Sequence, residues 1–160
     1  GRLISRHSGL LLIGCMLQPA IFLSCRMRHS NDEPKKQEML KGKINALGEE
    51  PVGTISLGRG EAAPSETTEY IISQKDAAVP LLVDVLNDDD ALKNEKGLIK
   101  VAYATYCLRR LNSDKGKDGA ARLAAKLQAK SEGRSFEEDF ALGEILEYLA
   151  QVNGKSGSPN

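Results

Sequence analysis

The run Asp76-Ala77-Ala78-Val79-Pro80-Leu81-Leu82-Val83-Asp84-Val85-Leu86, the turn Asn87-Asp88-Asp89-Asp90, and the run Leu98-Ile99-Lys100-Val101-Ala102-Tyr103-Ala104-Thr105-Tyr106-Cys107-Leu108-Arg109-Arg110-Leu111 together decide the fold. In the first run Val79, Leu82, Val83 and Leu86 recur at the i, i+3, i+4, i+7 spacing of one helical face. Asp76 stands where it can cap this helix, and Pro80 falls at or just past its first turn, where a missing N–H costs little. The second run reads as a helix from about Asn94 to Asn112. Its inward stripe is Leu98, Val101, Ala102, Thr105, Leu108 and Leu111, while Lys96, Lys100, Arg109 and Arg110 stay in water. Two apolar helices are thus joined by an acidic turn.

Working outward, a polar break at Ser113-Asp114-Lys115-Gly116-Lys117 precedes a small-residue helix with Ala120, Leu123, Ala124 and Leu127, whose short side chains allow close approach of neighbours. After Gly133, Ser135-Phe136-Glu137-Glu138 is a capping box with Ser135 at N-cap and Glu138 at N3. It opens a last helix that turns Phe140, Ala141, Ile145, Tyr148, Leu149 and Val152 inward, and residues 153–160 read as a disordered tail. On the other side, Ser65 caps a helix through Gln74 with Tyr70 and Ile71, and Ile72 at the margin, on its apolar face.

About five helices therefore stand between Ser65 and Val152, joined by breaks short enough to favour antiparallel neighbours. The chain is 41% apolar but only 4% aromatic, with no Trp, so its core is Leu, Ile, Val and Ala, which suits packed helices better than a sandwich or barrel. The expected fold class is all-α, as a short helical array or a compact bundle.

Residues 26–64 read as a polar tether and an irregular connector. Asn31 or Asp32 can cap a short helix through Leu47, with Pro34 in its first turn, Gly48 as its stop, and Met39, Leu40, Ile44 and Leu47 on one face. Gly58-Arg59-Gly60 lacks the Gly-Lys-Ser/Thr ending and the βαβ setting of a phosphate loop, so it reads as a flexible turn.

Ahead of this, Arg2 and Arg6 precede an apolar stretch from Gly9 to Ser24, and the chain turns polar at Arg26. That is the plan of a signal peptide, and the stretch falls short of the roughly 20 apolar residues of a spanning helix. Its end resembles a bacterial lipoprotein signal, in which a Leu-rich stretch runs into a box ending in the Cys that becomes lipidated. Leu12-Ile13-Gly14-Cys15 and Phe22-Leu23-Ser24-Cys25 both have that shape. Cys25 is the preferred site because it leaves a full apolar region upstream and meets the polar tether. An uncleaved N-terminal anchor and a chain that stays soluble are the other two readings.

The first of the two deciding helices also carries a resemblance. Ala78-Val79-Pro80-x-Leu82-x-x-x-Leu86, followed by an Asp-rich turn and a second Ala- and Leu-rich helix, resembles a HEAT-type helical repeat. One unit spans about Asp76 to Asn112, and Gly119 to Val152 would be a second, degenerate one. Ala91-Leu92-Lys93-Asn94-Glu95 lengthens the turn beyond the usual pattern. The resemblance implies a protein-binding scaffold rather than chemistry, with Lys96, Lys100, Tyr103 and Arg110 lining a groove of the stacked helices.

The remaining residues exclude several function classes. Lys and Arg together number 22, as do Asp and Glu, and no basic run could neutralise several phosphates, so nucleic acid is not an expected partner. Cys107 would need a nearby base to act as a nucleophile, but the only histidines are His7 and His29. Asp88-Asp89-Asp90 lacks the alternation, the Gly turn and the distal Glu of a calcium loop. Glu137, Glu138 and Asp139 are explained by a helix N-terminus. Paired-carboxylate hydrolysis would need substrate-binding aromatics, and Tyr103 and Tyr106 point to different faces of one helix. The expectation is a non-catalytic scaffold without metal or cofactor, holding a protein partner and tethered to the cell-envelope membrane through a lipid on Cys25. The alternatives are a soluble assembly factor and a metal-dependent hydrolase.

Overall fold

The computed structural model describes residues 32–54, 60–130 and 132–156. Cys15, Cys25 and the rest of the leader, together with residues 157–160 of the tail and Gly58 and Arg59 of the connector, lie outside them. The chain divides into two units, Gly1–Gln37 and Glu38–Asn160. The described part of the first is the opening of helix α1 (Asp32–Asn45), exposed and acidic at Asp32 and Glu33.

The second unit is an all-α bundle. Beyond α1 it contains α2 (Glu66–Ser73), α3 (Val79–Asn87), α4 (Glu95–Arg110), α5 (Lys117–Gln128) and α6 (Phe136–Ser156). Single 3-10 turns occupy Ala46–Glu49, Lys75–Ala77 and Ala91–Lys93. A two-residue antiparallel ladder pairs β1 (Gly53–Thr54) with β2 (Gly60–Glu61), Gly53 opposite Glu61.

Helix α4 is the axis of this unit. It packs against α2, α3, α6 and the 3-10 turn at Ala46–Glu49, and α6 in turn packs against α5 and β2, while α5 also touches α3. Every residue from Val101 to Leu108 is buried, so the helix is covered all round its middle and not along one stripe as its periodicity suggested. Ile99, Tyr103, Ala104, Tyr106 and Cys107 extend the apolar surface past the Leu98 stripe, and a helix apolar on every side has to be enclosed.

Three helix starts follow from short polar side chains at fixed offsets. Ser65 Oγ accepts the Thr68 N–H at 3.1 Å while Thr68 Oγ1 accepts the Ser65 N–H at 2.7 Å. Asn94 Oδ1 accepts the Gly97 N–H at 2.8 Å. Ser135 and Glu138 close the capping box at 3.2 and 3.1 Å. Asp76 does not cap α3: Lys75 has φ of +50°, which swings the chain into a 3-10 turn, and α3 starts after Ala78 with no side-chain cap. Val85 joins Val79, Leu82 and Leu86 in the core, whereas Val83 and Leu111 are half-buried.

Two further boundaries differ from the sequence reading. Helix α6 runs to Ser156 rather than ending at Val152, because Lys155 in its last turn reaches the side chain of Asn112, a residue held at φ +60° at the end of α4. The compact unit begins at Glu38 rather than Ser65. Leu40, Ile44 and Leu47 lie in the core and Ala62 is buried, while Met39 is half exposed and off the inward face. Among the described residues, the stretch from Glu38 to Pro64 therefore belongs to the folded unit.

Candidate functional site

Helix α4 meets the 3-10 turn at Ala46–Glu49 and the turn at Ala91–Lys93 through two glycines. A Cβ on Gly48 would lie 2.8 Å from the carbonyl oxygen of Lys96, and one on Gly97 would collide with that of Ala91. These backbone approaches leave an open groove of about 560 Å3 between α1 and α3. Ile44, Leu81 and Val85 supply its apolar surface, and Lys41, Asp84 and Lys100 stand among its polar lining.

Lys96 and Lys100 thus reach the groove as the sequence implied, and both are engaged with its wall. Lys96 Nζ lies 2.5 Å from Glu49 Oε1, a hydrogen bond that raises the ammonium pKa, and Lys100 Nζ donates to Asn45 Oδ1 at 2.8 Å. Across the Lys96–Glu49 bridge a second depression of about 430 Å3 opens against Val52, Ile99 and Phe136.

Tyr103 and Arg110 do not line the groove. Both fall on the helical stripe of Lys96, but the chain at Pro51 covers Tyr103, whose hydroxyl donates to the Pro51 carbonyl at 2.5 Å and whose pKa is raised by burial. Arg110 instead faces α2, 3.4 Å from Glu69, and donates to the Tyr106 hydroxyl at 2.7 Å.

The acidic turn is a clamp. Asp89 Oδ1 lies 2.5 Å from Arg122 Nη1 and 3.0 Å from Lys126 Nζ, and the Lys126 hydrogen bond with the two positive charges lowers the Asp89 pKa. Asp90 pairs with Lys93 at 2.6 Å, and Asp88 Oδ1 accepts the Asp90 N–H at 2.9 Å. Asp89 joins the end of α3 to α5, while Asp88 and Asp90 brace the turn itself. Among the described residues no three His, Cys, Asp or Glu side chains cluster so as to hold a metal ion.

One buried carboxylate was not foreseen. Glu144 Oε1 accepts the Ala62 N–H at 3.0 Å, and Arg109 spans from Glu144 Oε2 at 3.2 Å to Glu147 Oε2 at 2.6 Å. Burial raises the Glu144 pKa, against the opposing Ala62 hydrogen bond and Arg109 charge. The signal was available: Glu144 falls on the stripe of Phe140, Ala141, Ile145 and Tyr148, where a charge needs a partner. Its bonds tie the chain just after β2 to α6 and α4, a structural task. Cys107 is fully buried, and burial pushes its thiol up to about 12, which keeps it in the unreactive protonated form.

No family model, curated protein or solved structure matches the chain. Among the described residues no helix is long and apolar enough to cross a membrane.

Proposed function

We propose that this chain is a non-catalytic scaffold that holds a protein partner along the groove between α1 and α3, and that a lipid on Cys25 ties it to a bacterial cell envelope. The observation that carries the scaffold reading is the groove itself, apolar at Ile44, Leu81 and Val85 and rimmed by charges, the anatomy of a protein-binding surface. The helix neighbours support a HEAT-like reading: α3 packs on α4, α5 on α6, α3 on α5 and α4 on α6, the scheme of two stacked helical pairs.

Expression of the whole chain in a bacterial host, followed by intact mass and fractionation, tests the tether. A membrane-bound product that begins at Cys25 with diacylglycerol and acyl groups supports it, and an unprocessed soluble chain rules it out. Photo-crosslinkable residues at Lys41 and Asp84 test the scaffold against a control at Lys117 on α5. A single protein captured from both groove positions and not from the control is the expected result, and equal capture at all three sinks the reading.

A further inference from the structure

The second depression has an apolar floor that nothing in the fold requires to be open. Phe136 is 40% exposed at the first residue of α6, although the capping there is complete through Ser135 and Glu138 without it. Val52 and Ile99 lie beside it. The rim carries Glu49, Glu50, Glu95 and Glu137 against one ammonium, Lys96, which is already joined to Glu49. Among the described residues none of Glu50, Glu95 and Glu137 takes part in an ion pair. In a chain of zero formal charge, this is a local excess of negative charge around an exposed aromatic ring.

We infer that the depression docks a basic segment of the protein partner, with an apolar side chain seated on Phe136, Val52 and Ile99 and an adjacent lysine or arginine held by Glu50, Glu95 and Glu137. The inference rests on the scaffold reading and names the chemistry of its partner. A long cationic side chain suits such a place because its aliphatic stem covers apolar surface while its head meets the carboxylates and the face of the ring. An acidic segment would set like charge against these carboxylates, and an uncharged one would leave their excess over Lys96 unmatched.

The test titrates the isotope-labelled full chain with a short synthetic peptide alternating lysine and leucine, and with the same peptide carrying glutamate for lysine. The lysine peptide is expected to move the amide signals of Val52, Ile99 and Phe136, and the glutamate peptide to leave them in place. Phe136→Ala, and separately the pair Glu95→Gln and Glu137→Gln, should each weaken binding about tenfold, while Glu66→Gln in the first turn of α2 leaves it unchanged. Equal binding by all variants, or shifts scattered over the surface, overturns the inference. So does movement of the same signals when the chain alone is concentrated into a sedimenting dimer, since the occupant is then a second copy. Partner crosslinking along the groove without a peptide response at Phe136 overturns this inference alone. A chain that captures nothing from any groove position removes the scaffold reading and this one with it.

Discussion

Arg109 reaches Glu144 across 35 residues of sequence, its Nη2 3.2 Å from a carboxylate that is 3% exposed and whose other oxygen is held by the Ala62 N–H. Removing the guanidinium leaves that charge in the bundle with one partner. Arg109→Met should lower unfolding free energy by about 2 kcal/mol, the scale for a lost hydrogen bond to a charged group that is partly screened. Chemical denaturation measures it, and a change within experimental error would show the pair to be idle.

The same carboxylate sets a pH dependence. Its folded pKa is raised by burial, so the native chain holds the Glu144 proton more tightly than the unfolded chain does. That contribution is complete below the ordinary glutamate range and is lost as pH rises through the folded value. Glu144→Gln cannot titrate. The stability of the parent relative to the variant should therefore fall in urea unfolding as pH is raised above the ordinary glutamate range. A parent that gains on the variant as pH rises would reverse the assigned direction.

Glycine positions give opposite outcomes. Gly97→Ala drives a methyl group into the Ala91 carbonyl and should cost about 3 kcal/mol or more, because backbone must move. Gly42 lies within α1 with nothing within 4 Å of its missing Cβ, so Gly42→Ala should stabilise by about 0.5–1 kcal/mol. Thermal melts of the two variants should move in opposite directions.

Tyr148 closes the corner between α4 and α5. Its hydroxyl donates to the Ser113 carbonyl at 2.8 Å and accepts the buried Gly116 N–H at 3.1 Å. Tyr148→Phe leaves both backbone groups without their partner and should cost about 2 kcal/mol. Faster amide exchange at Gly116, just ahead of α5, with no change in α6, would locate the loss.

Cys107 should resist alkylation. With its thiol pushed up to about 12, the thiolate at pH 8 is about a thousandfold scarcer than for an ordinary cysteine, and the side chain has no access to solvent. Peptide mapping after iodoacetamide treatment should find Cys107 unmodified in the native chain and modified in denaturant. Native labelling at an appreciable rate would show that α4 opens.

Much of the fold was legible because its determinants are local. Ser65, Asn94 and Ser135 each lie within three residues of the N–H that they cap. The readings that departed from the structure depend on distant partners. Gly and Pro between Glu49 and Pro64 do not say that Ala62 will meet Glu144 82 residues later. Tyr103 lies on the right stripe of α4, and only the path of the chain at Pro51 removes it from the groove. Lys96 and Lys100 reach the groove because no described segment covers them. Phe136 was read only as a member of the capping box, since periodicity does not mark an aromatic that fails to find a core.

The enclosure of α4 bears on how the chain is made. Its cover comes from both directions: Leu47 lies well before it, and Phe140 and Ile145 belong to α6, which is synthesised later. While the nascent chain carries α4 but not yet α6, Val101, Ala104 and Leu108 have no complete shelter. The ribosome-bound intermediate is then a helix with an apolar flank awaiting its partner, the kind of surface that holding chaperones recognise. Release of the chain before Ile145 is added would yield an aggregating fragment rather than a smaller folded protein.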